Sequence, residues 1–219
     1  MSNSNTIQDS LDKVIKLSEA LFKQNVIMLT VSEKLLEANG DLTVFKQNNH
    51  FINYAYIFTN ATLDLAIITK NLDAAKYPSE ERFFIRSSYL IVYEMINTYN
   101  KFQIEFRELA AKYPKMKIPL DTLNLELKEY RRKHKIDSEA SKIRNKTIAH
   151  LDKNAIEYHR LTESFDKKST IIMSMEFLKI MRNITPILQK FHEDQKEEIE
   201  NERLKGKDRF LAFINRKEE

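Results

Sequence analysis

Arg144, Asn145, Lys146 and His150 have the most direct route to chemistry in this sequence: a fixed cation, an amide, an ammonium and an imidazole within seven positions. An imidazole titrates near neutrality, so it can take a proton or give one. A guanidinium stays charged and offers a planar fork of donors that suits phosphate oxygens. These types fit cleavage of an RNA phosphodiester without a metal. A base removes the 2′-hydroxyl proton, an acid protonates the leaving oxygen, and a cation meets the extra charge on the phosphate. Arg144 is the expected phosphate clamp, His150 the general acid/base and Asn145 a supporting donor; Lys146 is placed to touch the backbone.

Arg144 and His150 are separated by five residues. In a regular helix that offset leaves them about 120° apart, so they do not share a face. His150 falls in line with Ile143 and roughly with Thr147, on the expected inward stripe near Ala140 and Leu151. Arg144 lies at the flank, where a long guanidinium can bend toward the imidazole. The plain alternative is that His150 is a hydrogen-bonded core residue and that Asn145 and Asp152 are caps or braces.

Other chemistries are closed or weakened by composition. There is no cysteine, which removes thiolate metal sites, disulfides and cysteine nucleophiles. The five histidines show no H-E-x-x-H spacing, and two glycines cannot build a phosphate-cradling loop. No metal and no cofactor is expected. The formal charge of +4 permits a polyanionic partner without demanding one. The densest basic stretch holds Lys128, Arg131, Arg132, Lys133, Lys135, Lys142, Arg144 and Lys146, running into the motif. Lys142, Arg131 and Arg132 join Lys146 as candidate RNA-binding residues. The same charges also suit the C-terminal end of a helix. Arg86, Tyr93 and Asn97 share a helical face with Tyr89 and Asn100 close by, a polar strip that lines a cleft or forms an interhelical network. In a cleft, Tyr89 or Tyr93 would stack on a base.

The run Ile143-Arg144-Asn145-Lys146-Thr147-Ile148-Ala149-His150-Leu151-Asp152 resembles the signature of the HEPN superfamily (higher eukaryotes and prokaryotes nucleotide-binding domains), and its Ala before His and Asp two beyond resemble the abortive-infection-type branch. The resemblance implies a helical bundle. It implies a metal-independent ribonuclease of an abortive-infection or toxin–antitoxin system, which dimerises to bring two motifs into one cleft. Partners so implied are RNA, a second copy and an antitoxin protein. Some toxins of this kind carry a Tyr two residues after the His, where an antitoxin modifies them; Asp152 stands there instead. A non-catalytic HEPN module that binds RNA, a nucleotide or a protein is the alternative, and a purely structural bundle brace is a third.

The elements that must position these residues are all helices. With Gly and Pro scarce, long helices and short loops are expected, giving an all-α up-and-down bundle. Apolar residues at three- and four-residue steps predict a helix from about 7 to 38, ended by Asn39-Gly40-Asp41. A second, apolar nearly all round over 51–68, spans about 44–75, and a third about 79–112, starting from a Ser79 cap and ending before Pro114 and Pro119. A fourth covers about 120–134, with Leu123, Leu127 and Tyr130 inward. Asp137 or Ser138 caps a fifth through about 151. A last, long helix from about 167 to 205 is kinked at Pro186. Residues 1–192 read as one domain and 193–219 as a charged helical arm ending in the apolar clip 210–214, which folds back or grips a second subunit. Neither an apolar signal core at the N-terminus nor an unbroken apolar run of about 18 residues is seen; a cytoplasmic protein without a membrane segment is expected.

Overall fold

The computed structural model describes residues 2–39, 43–143 and 163–184, with the single positions 187, 191 and 204. They form six α-helices and one short 3-10 turn, and no strand occurs among them. In chain order these are α1 (Ser2–Asn39), α2 (Thr43–Ala74), α3 (Pro78–Lys112), the 3-10 turn Pro114–Met116, α4 (Lys117–Lys133), α5 (Ile136–Ile143) and α6 (Lys167–Arg182). The all-α bundle expected from the sequence is the observed architecture. Residues 144–162, the Pro186 kink, the charged arm and the apolar clip lie outside the described residues.

α2 and α3 are the central pair. α2 packs on α1, α3 and α6, and α3 packs on α2, α4, α5 and α6. Their all-round apolar character follows from that position, because each must bury more than one face. Phe51, Tyr54, Phe58, Tyr99 and Phe106 form an aromatic knot between them, and Phe191 stacks on Phe51 at 3.7 Å between ring centroids. Full burial of one such ring stabilises by roughly 1.5–3 kcal/mol.

α1 and α2 form an antiparallel hairpin. Gln8 bonds Asp73, Lys70 pairs with Asp12, and Asn25 donates to Thr59. Leu11, Ser18, Asn25 and Ser32 are the buried line of α1, seven residues apart, and three of the four are polar. The seam is therefore closed partly by small polar side chains. Leu17, Ile27 and Val31 face outward and are exposed.

The stretch His50–Ala74 of α2 has the length and apolar content of a membrane span, although polar residues interrupt its apolar run. Phe51, Phe58, Leu65, Ala66 and Leu72 within it are buried inside the bundle. The need of a central helix to bury several faces accounts for the same composition.

Local chemistry shifts several boundaries. α3 begins at Pro78, one residue before the expected start; proline is tolerated at the first helical position because its missing N–H would be free anyway. Ser79 is not the cap. Tyr77 is, and the Glu80 carboxylate accepts from the backbone N–H groups of Lys76 and Tyr77. α4 starts at Lys117, with Pro119 inside its first turn, where no N–H is required. α5 starts at Ile136, directly after Lys135, which adopts φ 49° in the left-handed region. Asp137 therefore sits within the helix and holds Arg131. α6 is capped by Asp166, whose carboxylate accepts from the Ser169 N–H at 2.7 Å. That bond is the main cause holding the Asp166 carboxyl below its ordinary pKa.

Candidate functional site

The four motif residues Arg144, Asn145, Lys146 and His150 lie outside the described residues. Both approaches to them are described, and both lead to α3. Upstream, α5 packs on α3 and ends at Ile143, which is fully buried. Downstream, Glu163 pairs with Arg82 at 3.0 Å, and the Phe165 ring packs on Tyr89 with centroids 4.9 Å apart. Lys167 then bonds Glu81 and the Ala75 carbonyl. The downstream stretch thus meets Arg82 and Tyr89 of α3, and Glu139 of α5 on the upstream side acts on Tyr89 through its charge.

Tyr89 is the meeting point. It is 8% exposed, and burial first, then the charge of Glu139 on α5, pushes its hydroxyl pKa up to about 12. Phe165 occupies its ring. Of the two tyrosines considered for base stacking, only Tyr93 keeps partial exposure. Arg86 and Asn97 are also half-buried on this helix, and both Arg86 and Tyr93 have interaction partners.

The basic residues divide by partner. Arg131 gives two guanidinium bonds to one carboxylate oxygen of Asp137, at 2.9 and 3.2 Å. Lys142 pairs with Glu139 one turn earlier at 3.1 Å. Arg132 is exposed at the last turn of α4, beside Lys133. Three cations in that turn also suit the negative end of the helix.

Two grooves flank α4. The groove against α6 is lined by Glu126, Glu129 and Glu176 opposite Arg132, Lys133 and Lys179. Glu176 organises it. Both its oxygens accept from Lys133, at 2.6 and 2.8 Å, and His134 Nε2 lies 2.8 Å away. Those two bonds, Lys133 first, hold the Glu176 carboxyl below its ordinary pKa. Beneath them the Tyr130 ring contacts both His134 and Phe177, and its hydroxyl donates to the Met173 carbonyl. Nothing in the sequence signals this cluster, because Glu176 lies 42 positions from His134.

The groove against α3 holds Arg107, Lys128 and Arg131 with the amides of Asn100, Gln103 and Asn124. Tyr99 and Gln103 both donate to the Asn124 Oδ1, at 2.8 and 2.9 Å. A signal for part of it was present: Asn100 and Arg107 continue the face of Arg86, Tyr93 and Asn97 along α3.

No group of three His, Asp or Glu side chains is arranged to hold a metal among the described residues. No family model matches the chain, and neither the curated proteins nor the solved structures contain a match to it.

Proposed function

We propose that this chain is a HEPN-like, metal-independent endoribonuclease that acts as a homodimer in a cytoplasmic defence or toxin–antitoxin system, with an antitoxin protein as its natural restraint. The observation that carries the reading is the run R-N-K-T-I-A-H-L-D from Arg144 to Asp152 within a chain whose described elements are all helices. Two further features support it. The helix leading into the run is anchored through buried Ile143, which gives the motif a rigid base. Arg132 on the approach, with Lys146, adds positive charge where a phosphate backbone would arrive, while Arg131 and Lys142 are paired with Asp137 and Glu139.

In this mechanism His150 removes the proton from a ribose 2′-hydroxyl, and the freed oxygen attacks the adjacent phosphorus. The bond from phosphorus to the 5′-oxygen breaks. That oxygen takes a proton from an imidazolium, and the other product ends in a 2′,3′-cyclic phosphate. A dimer cleft with two motifs supplies both the base and the acid. Arg144 stabilises the charge on the non-bridging oxygens, with Asn145 as a further donor.

The test is a mixed RNA substrate in EDTA, with Arg144→Ala and His150→Ala beside the wild type. Cleavage that is lost in both variants while their melting curves are unchanged supports the enzyme. Salt-sensitive RNA binding with no cleavage supports a non-catalytic HEPN module instead. A fall in melting temperature as the sole effect of both substitutions supports a bundle brace.

A further inference from the structure

We infer that the groove between α3 and α4 is a docking track for the phosphate backbone of a single RNA strand, an inference that rests on the ribonuclease reading for the identity of the polymer. The groove holds about 390 Å3 and is walled by Asn100, Gln103 and Arg107 on one side and Asn124, Lys128 and Arg131 on the other. Every charged side chain among these is a cation. Arg107 and Lys128 are exposed, and neither has an ion-pair or hydrogen-bond partner among the described residues. Of the acids nearby, Asp121 acts on Tyr99 less than Arg107 does, and Asp137 is held by Arg131.

The amides sharpen the chemistry. The Asn124 Oδ1 already accepts from Tyr99 and Gln103, which leaves its two N–H groups as donors for a ligand. The walls therefore combine cations with an amide donor. The ligand that matches is an anion with acceptors only, which describes the non-bridging oxygens of a phosphodiester. The floor of Ile96, Tyr99 and Leu127 is largely apolar, and the cations on the walls supply a grip on backbone that does not depend on sequence.

Its position links it to the motif. The Arg131 end of the groove is tied to Asp137 in the first turn of α5. From Asp137 to Ile143, the residue before Arg144, the helix advances about 9 Å. A phosphate-to-phosphate step or two spans that distance. A strand held by Arg107, Lys128 and Asn124 would thus be led toward the motif, and the α3/α4 groove would hold the nucleotides next to the cut.

The experiment measures binding of a fluorescent single-stranded RNA of about a dozen nucleotides across a salt series, with the full chain carrying His150→Ala so that the probe survives. Adding Arg107→Ala and Lys128→Ala is expected to weaken binding about tenfold and to flatten the slope of log affinity against log salt by about 1.4, the loss of two single-strand phosphate contacts. Arg107→Lys with Lys128→Arg should restore most of both. The charge-matched pair Lys133→Ala and Lys179→Ala, in the other groove, should change neither. Unchanged binding in Arg107→Ala/Lys128→Ala, or an equal loss in the control pair, overturns the inference, as does displacement of the RNA by an equimolar nucleoside monophosphate. Cleavage by chains that retain His150 is scored separately. Loss of binding without any cleavage would uphold the groove and refute the nuclease, and the reverse result would do the opposite.

Discussion

The two grooves beside α4 each carry three cations and differ in what those cations face. Toward α6, three carboxylates offset three cations along the groove, and Glu176 is bonded by both Lys133 and His134. Toward α3, the walls carry cations and amides, and Arg107 and Lys128 are unpaired among the described residues. A charge that meets its partner within the fold contributes to holding helices together. A charge left without one keeps its full field for something that arrives from solution. One 17-residue helix thus carries balanced charge toward α6 and uncompensated positive charge toward α3.

The largest expected effect breaks the comparison from below. Phe177 of α6 is fully buried against Tyr130, under the balanced groove. Phe177→Ala should cost about 3–5 kcal/mol in denaturant unfolding, the usual range for a deleted core ring. A loss under about 1 kcal/mol would show that α4 and α6 are not held by this contact.

Next comes the charge pair itself. Glu176→Gln removes the carboxylate that both Lys133 and His134 bond, and a loss of about 1 kcal/mol is expected for a partly exposed cluster. Its acid response carries the sign. Glu176 and Asp166 both have carboxyl pKa values held below the ordinary range, so their stabilisation is present above that range and disappears as pH falls through the lowered values. Melting temperature should drop on acidification below about pH 4.5, and the drop should be shallower in Glu176→Gln. Parallel curves for variant and wild type would remove Glu176 from the account.

The smallest effect sharpens the other side. Tyr99→Phe deletes one donor to Asn124, and a stability loss of about 1 kcal/mol is expected from the lost hydrogen bond. RNA affinity should fall by less than in Arg107→Ala/Lys128→Ala, because the cations stay. An equal fall, read in the same binding assay, would mean that Asn124 and not the charge dominates the groove.

Much of this fold was legible because burial leaves a periodic trace. The all-round apolar run of α2 and the aromatic richness of α3 marked them as central, and Leu123, Leu127 and Tyr130 of α4 face inward as their spacing required. Asn25 and Ser32 were missed as buried positions because they are polar, and a polar heptad line reads as a solvent face. The start of α5 was misjudged because Lys135 takes the left-handed conformation with no glycine to announce it. The motif run was visible because its residues are contiguous. The α3/α4 groove was not, because Arg107 and Lys128 come from different helices and only their packing places them together. The basic stretch 128–146 read as one patch; in the fold Arg131 and Lys142 are tied to acids on α5, while Lys128 turns to α3.

The central claim is that the Arg144–His150 run performs 2′-hydroxyl attack, and end-group analysis of the RNA products tests it most directly. Incubated in EDTA, the wild-type chain should release fragments whose 3′ ends carry cyclic phosphate by mass spectrometry, and a substrate with 2′-deoxyribose at the cut position should survive intact. Fragments from that deoxy substrate, or products unchanged in kind and yield when His150 is replaced by Ala, would contradict the account.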